Sequence, residues 1–474
     1  MDAIKSYLSI IQPPLLQHIT GKPGEFIRQF QQEKYLTEEA FIQTICKGKH
    51  DATYYRELKS RTLKLLQAMA IVSAPKGGNI VAKKIKNCRK YFLTGQIFLD
   101  KGERKEGLRL IKLAHQIAVE YNFVYYACEL SSILYHNHVY YQRSKKKANG
   151  YAAQVDYYLQ EYTAEKKAEH HFYQALLQIG RAAKPKVIKK AIEEIAKYPG
   201  NSIKYKVYHS LLLVLYGFHT GNYVAVVKDC TKVLDYLTNS KGSYASHFQF
   251  FLSKKGIAHI ALGQYSAAAH SLKAAHSHAP PHSFNDYTTR LYSIINTLHA
   301  SDYSLAHTLL QRAKRCPYTE LHEQFLIIEA YLYFLARSGH LQLDKPFRLG
   351  RYLNETFKAQ ADKKGDKVNI LIAELLVYLV RDRGKFIDRV EAVQAYSYRY
   401  LGGAETKRAR WFIRILCSLP KANFHPVALA RVAQRQIANL EKHPIRLGDN
   451  LAVEVVPFGR LLEMIMQQLK TKRA

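Results

Sequence analysis

Acidic residues are scarce in this chain. Aspartate and glutamate number 38 in 474 residues, and they seldom cluster. That argues against a metal site held by carboxylates; the pair Glu193-Glu194 stands among lysines and reads as solvated surface. Cysteine is also scarce: Cys46, Cys88, Cys128, Cys230, Cys316 and Cys417 lie far apart with no close pair. A disulfide framework or a zinc knuckle needs clustered thiols, whereas scattered free thiols suit a reducing cytoplasm. Cys230 and Cys417 sit inside apolar helical patterns and read as small core residues. Long apolar runs are missing too. Residues 211–216 form one of the longest, about a third of what a bilayer span requires. No early segment has the basic, apolar and small-residue order of a signal peptide. The expectation is a soluble, cytoplasmic protein.

Catalytic motifs are absent as well. There is no phosphate-cradling glycine loop, no Gly-x-Ser-x-Gly elbow and no His-Glu-x-x-His. Histidine is plentiful at 21, and His270, His276, His278 and His282 crowd one stretch. His270 and His276 do not share a helical face, so the group reads as surface and turn histidine. His136 and His138 flank an asparagine as in a nuclease motif, but that motif needs strands an all-helical chain does not supply. No active site is read, no cofactor or metal is expected, and the chain is not expected to be an enzyme.

What is abundant is positive charge and tyrosine. Lysine and arginine number 71, giving a formal charge of +33, and there are 35 tyrosines. A field of that sign draws polyanions: nucleic acid, acidic protein faces or anionic lipid. At 47% hydrophobic the chain also has ample material for a folded core.

Residues 251–281 carry the clearest organisation. Leu252, Gly256 and His259 mark one stripe of a first helix, and Gly263 follows in a turn. Ala268, Leu272 and Ala275 lie on one face of a second helix, which Pro280 stops. Small residues at 256 and 268 permit a close crossing, and Gly263 can take the left-handed conformation that ends a helix. Gly95, Gly102, Gly107, Ile111 and Ala114 repeat the same steps of 7, 5, 4 and 3 found from Gly256 to Ala275. Arg104 there replaces the aromatic that follows the turn, which predicts weaker packing. Looser copies are Gly221, Tyr223, Val226, Cys230 and Val233; then Tyr303, Ala306, Leu310, Ala313 and Pro317; then Gly384, Phe386, Arg389 and Val393.

This order of small residue, turn glycine, aromatic, alanine, large apolar residue, alanine and proline resembles the tetratricopeptide (TPR) unit, whose period is 34 residues. The aromatics at 223, 265 and 303 are 42 and 38 apart, so the helices are long or the loops carry insertions, and the repeats are degenerate. The resemblance implies an all-α α-solenoid of stacked antiparallel helical hairpins in a right-handed superhelix, with first helices lining a concave groove. Such an array needs helical caps at both ends. Residues 1–88 are expected to be an N-terminal helical cap region, with Leu58, Leu65 and Leu66 on one apolar face and 73–79 as a linker. Residues 89–400 are the TPR-like array, and 401–474 a C-terminal helical cap with a basic tail. Residues 320–338 are expected to pair with 347–357 as one more hairpin.

Four basic clusters are candidates for contact with a polyanion or partner. They are Lys83, Lys84 and Lys86 with Arg89 and Lys90; Arg143 with Lys145, Lys146 and Lys147; Lys184, Lys186, Lys189 and Lys190; and Lys407, Arg408 and Arg410. Each falls near a loop or helix end. Tyr91, Tyr140 and Tyr141 adjoin two of them, and aromatic faces interleaved with cations hold single-stranded nucleic acid without reading sequence. Against this, Tyr223, Tyr265 and Tyr303 show that tyrosine is also a packing residue of the repeat. The preferred reading is a non-enzymatic scaffold or adaptor that binds an acidic protein or peptide, with Asn222 and Lys254-Lys255 as possible groove contributors. The alternative is a helical-repeat RNA- or DNA-binding protein. An enzyme or regulator with a concealed polar pocket is a third possibility.

Overall fold

The structure, a computed structural model, describes residues 2–11, 13–31, 42, 52–72, 80–179, 185–241, 244–315, 322–343, 346–357, 368–401, 406–447 and 454–471. Every regular element among them is a helix. The chain forms two compact units. Unit 1 comprises Met1–Glu165 with Gly200–Ser202 and Ser240–Ser243; unit 2 comprises Lys166–Pro199, Ile203–Asn239 and Tyr244–Ala474.

Unit 1 opens with α1 (Asp2–Ile10), α2 (Pro13–Gln17), α3 (Gly21–Gln31) and α4 (Ala52–Val72). They enclose a small core of Ile4, Ile11, Phe26, Leu58 and Leu66, with Leu65 packed beside it. Next come α5 (Ile80–Asp100), α6 (Arg104–Glu120), α7 (Val124–Tyr140) and α8 (Lys145–Ile179), the last belonging to unit 1 as far as Glu165. Cys88, Phe92, Ile111, Ala114, Ala127, Leu130 and Leu134 form their shared core. The α5/α6 crossing is close because glycine faces glycine. A Cβ on Gly95 would lie 2.9 Å from Ile111 Cδ1 and 3.1 Å from the Gly107 carbonyl oxygen.

In unit 2, α9 (Pro185–Ala196) precedes the hairpins α10 (Ile203–Thr220)/α11 (Tyr223–Asn239), α12 (Ala245–Ala261)/α13 (Tyr265–His278) and α14 (Phe284–His299)/α15 (Tyr303–Ala313). After these come α16 (His322–Arg337)/α17 (Leu349–Phe357) and α18 (Val368–Arg381)/α19 (Arg383–Tyr400). Stacked antiparallel hairpins make this an all-α solenoid, and α16 packs on α17 as the expected extra hairpin. The α12/α13 crossing has the geometry of α5/α6: a Cβ on Gly256 would sit 2.7 Å from Leu272 Cγ. The matching steps in the two segments therefore encode one crossing. The wide spacing of aromatics follows from helix length, since α10, α11 and α12 have 18, 17 and 17 residues.

The hairpin turns share one backbone solution. Gly102, Gly221, Gly263, Ser301 and Gly339 all have positive φ, from 65° to 85°. In each, the next residue's N–H reaches back five positions, as in Gln264 to the His259 oxygen at 2.9 Å. This Schellman closure satisfies the last carbonyls of the first helix. Gly263→Ala should therefore cost about 1 kcal/mol in equilibrium urea unfolding, because open space around the site leaves backbone strain as the sole penalty. A neutral result would contradict the left-handed turn. The hairpin α18/α19 differs from expectation. Gly384 lies inside the first turn of α19, and the turn is made by Asp382, whose side chain accepts the Lys385 N–H at 3.1 Å.

The C-terminal helices α20 (Lys407–Cys417), α21 (Pro426–Val432), α22 (Gln434–Lys442) and α23 (Phe458–Thr471) follow. Their segment does more than cover the last hairpin. Leu447 exchanges hydrogen bonds with the Tyr223 hydroxyl at 2.9 and 3.0 Å. His299 Nε2 meets the Glu454 carbonyl at 2.8 Å, Arg460 bonds the Ser301 hydroxyl, and Gln468 donates to the Arg337 carbonyl. The chain end thus straps back over the ends and turns of earlier hairpins of unit 2, in one continuous core.

Candidate polyanion-binding surface

Each basic cluster has members near the start of a helix, although Lys86, Arg89 and Lys90 lie further along α5. Lys83 and Lys84 begin α5, Lys145 to Lys147 begin α8, Lys186 begins α9, and Lys407, Arg408 and Arg410 begin α20; none of these first turns contains an acidic residue. Cations at a helix N-terminus oppose the macrodipole, each at about 0.3–1 kcal/mol. Placing charge where it disfavours the local structure is expected at functional or otherwise compensated positions.

In α5, Cys88 and Phe92 point inward while Lys83, Arg89 and Lys90 are exposed. Lys84 Nζ sits 5.2 Å from the Tyr121 ring centre, and Arg89 Nε donates to the Tyr126 hydroxyl at 2.9 Å. Lys86 Nζ is buried and meets no hydrogen-bond acceptor among the described residues. Burial, and then the nearby Lys90 charge, hold its pKa below the usual lysine range. None of these five cations pairs with a carboxylate among the described residues.

From Arg89 an aromatic run crosses three helices. Tyr126 meets Tyr125 edge-on at 5.1 Å, and Tyr125 meets Tyr162 of α8 at 5.7 Å. Phe92 supports Tyr126 from beneath at 6.0 Å. At the far end of α7 a second group forms. The Arg104 guanidinium lies 3.2 Å from the Tyr141 ring centre, and His136 packs on Tyr140 at 4.5 Å. Arg143, with φ of 47°, turns the chain into the exposed Lys145, Lys146 and Lys147. Arg104, read from sequence as a packing defect, is a stacked cation. The signal available for it was the Tyr140-Tyr141 pair one hairpin away.

The remaining clusters differ. In unit 2, Lys189 reaches Glu193 at 3.7 Å, while Lys186 and Lys190 are exposed; Lys184 lies outside the described residues. The α20 cluster is mostly structural. Arg408, its side chain 11% exposed, is paired with the buried Glu454 and bonded to the Leu440 and His443 carbonyls. Arg410 Nε is buried, and Lys407 alone is exposed. Two of the groove candidates have internal contacts. Asn222 caps α11 by accepting the Ala225 N–H, and Lys254 lies between the Phe218 and Phe250 rings at 5.6 and 5.3 Å. Burial there pulls the Lys254 pKa down to about 8.

Burial pushes the Cys88, Cys230 and Cys417 thiols up to about 12. His276 bonds Asp286 at 3.0 Å and His278 stacks on Phe248, each in a packing role. Among the described residues, no three metal-binding side chains gather and no helix is long and apolar enough to cross a membrane. A cavity of about 370 Å³ beside Tyr352 has two of its charges spoken for, Lys314 by Glu329 at 2.6 Å and Arg351 by Glu355 at 2.8 Å.

No family model and no curated protein matches the chain. Among solved structures, the P58(IPK) TPR domain aligns with 81% of this chain and 99% of its own at 12% identity, with a TM-score of 0.21. A superposition that loose does not bear on function.

Proposed function

We propose that the chain works by binding and not by catalysis, as a TPR-like helical scaffold that holds an anionic macromolecular partner on the basic face of unit 1. An acidic protein segment is the expected partner of such a scaffold. The observation that carries the reading is the set of cations on α5 and at the start of α8. They stand without carboxylate partners among the described residues, and Lys83 and Lys145 to Lys147 sit at helix starts where they oppose the dipole. The Arg408 cluster and the Asn222–Lys254 pair are engaged internally, and part of the hairpin-turn edge of unit 2 is covered by the chain's own C-terminal segment.

The test is fluorescence anisotropy of a labelled twelve-residue polyglutamate with the full chain. Binding should weaken steeply with salt, as counterion release requires. Lys83→Glu with Lys90→Glu, and separately Lys145→Glu with Lys147→Glu, should each weaken binding about tenfold or more. Lys186→Glu with Lys190→Glu in unit 2 should change it little. Salt-insensitive binding, or equal loss from all three pairs, would show that unit 1 is not the site.

A further inference from the structure

Charge alone does not explain the tyrosines. The repeat tyrosines of unit 2, Tyr223 and Tyr303, are buried as packing residues should be. On α7, the turn after it and the first half of α8, by contrast, Tyr125, Tyr135, Tyr140, Tyr141 and Tyr157 are exposed, Tyr140 to 65%. Carboxylates of an acidic peptide have no use for open ring faces. Unpaired nucleobases do, because every base has a π-face and stacks on an aromatic ring irrespective of sequence.

The geometry matches that demand. Tyr125 and Tyr126 meet at 74° and Tyr125 and Tyr162 at 47°, so none of these three rings is stacked flat on another, while one face of Tyr141 carries the Arg104 guanidinium. Cations accompany both ends of α7: Arg89 bonds the Tyr126 hydroxyl and shares α5 with the exposed Lys83 and Lys90, and Arg104 stacks on Tyr141, which Arg143 and Lys145 to Lys147 follow closely in the chain. The 17 residues of α7 separate the two groups by about 24 Å. At a stacked rise of about 3.4 Å per nucleotide, a strand of about seven nucleotides covers that distance.

We infer that this face of unit 1 binds single-stranded nucleic acid, with exposed tyrosines stacking on bases and the flanking lysines and arginines meeting phosphates. The inference rests on the anionic-partner reading above and puts a nucleic-acid strand in the place of the acidic protein segment. Base–aromatic stacking should make a single strand preferred over a duplex, whose bases are already stacked on one another.

The experiment is anisotropy with labelled twelve-nucleotide oligouridylate and oligothymidylate on the full chain. A twelve-base-pair duplex and polyglutamate serve as competitors. Affinity should rise from four to about eight nucleotides and then level. Tyr125→Leu and Tyr140→Leu should each weaken strand binding about tenfold, the order of losing one stacked base, with Tyr125→Phe and Tyr140→Phe retaining it. Polyglutamate binding should be unmoved by all four. If the duplex competes as well as the strand, or the leucine variants bind strands like the parent, the inference falls while the acidic-partner reading stands. If neither strand nor polyglutamate binds, both fall.

Discussion

Replacing Arg408 by alanine is expected to destabilise unit 2 by about 3–5 kcal/mol and to loosen the C-terminal helix. Glu454 is 1% exposed, and its carboxylate takes two guanidinium N–H groups while also accepting the Phe458 N–H at 3.1 Å. That last bond caps α23, whose Phe458 stacks on Phe412 at 4.5 Å. Arg408 further satisfies the carbonyls of Leu440 and His443. Alanine leaves a buried charge with no cation and two acceptors short of a donor. Arg408→Lys should recover only part, because an ammonium lacks the planar fork. Arg408→Met with Glu454→Gln should recover more than either single change, since no buried charge remains. Urea unfolding and amide exchange across α23 would measure this. An Arg408→Ala protein within about 1 kcal/mol of the parent would show that the pair is not buried as described.

Unit 2 should also lose stability in mild acid. His299 is fully buried; its Nε2–H donates to the Glu454 carbonyl, and its Nδ1 has no partner among the described residues. Burial, against the modest support of that backbone bond, pulls its pKa down from 6.5 to about 4. The neutral ring is therefore the folded form. Below pH 6.5 the unfolded chain takes up a proton that the folded chain refuses until about pH 4, so stability falls as pH drops through that window. The loss approaches about 3 kcal/mol at the acid end, at 1.36 kcal/mol per unit. Half-buried His209 and His247, also shifted down by desolvation, act in the same direction. His299→Gln keeps a donor for the Glu454 carbonyl but cannot titrate, so its stability should depend less steeply on pH between 6.5 and 4. An unchanged slope would mean that His299 is not the group responsible.

Some of this architecture is written locally. The α12/α13 hairpin is legible because Gly256, Gly263 and Ala268 each answer a steric demand made within the one hairpin, and Gly95, Gly102 and Gly107 answer it again. Ser301 shows the limit: it takes the left-handed turn that glycine takes elsewhere, with Arg460 bonded to its hydroxyl, and no local pattern announces that. The C-terminal strap was not legible, because its bond between Tyr223 and Leu447 joins residues 224 apart. Charge clusters look alike in sequence but not in space. Lys407 and Arg408 are neighbours, yet one is solvated and the other is locked on Glu454. Tyrosine count is likewise uninformative until burial separates the repeat rings Tyr223 and Tyr303 from exposed rings such as Tyr125 and Tyr140 of α7 and Tyr398 of unit 2.

The most direct measurement of the central claim is amide hydrogen exchange of the full chain, with and without a saturating polyanion. Polyglutamate and oligouridylate would be used in turn. Slowed exchange in α5, in α7 and in the first turns of α8, with α18 and α19 unchanged, is the predicted result. Protection confined to unit 2, or no protection by either ligand, would contradict the placement of an anionic partner on unit 1.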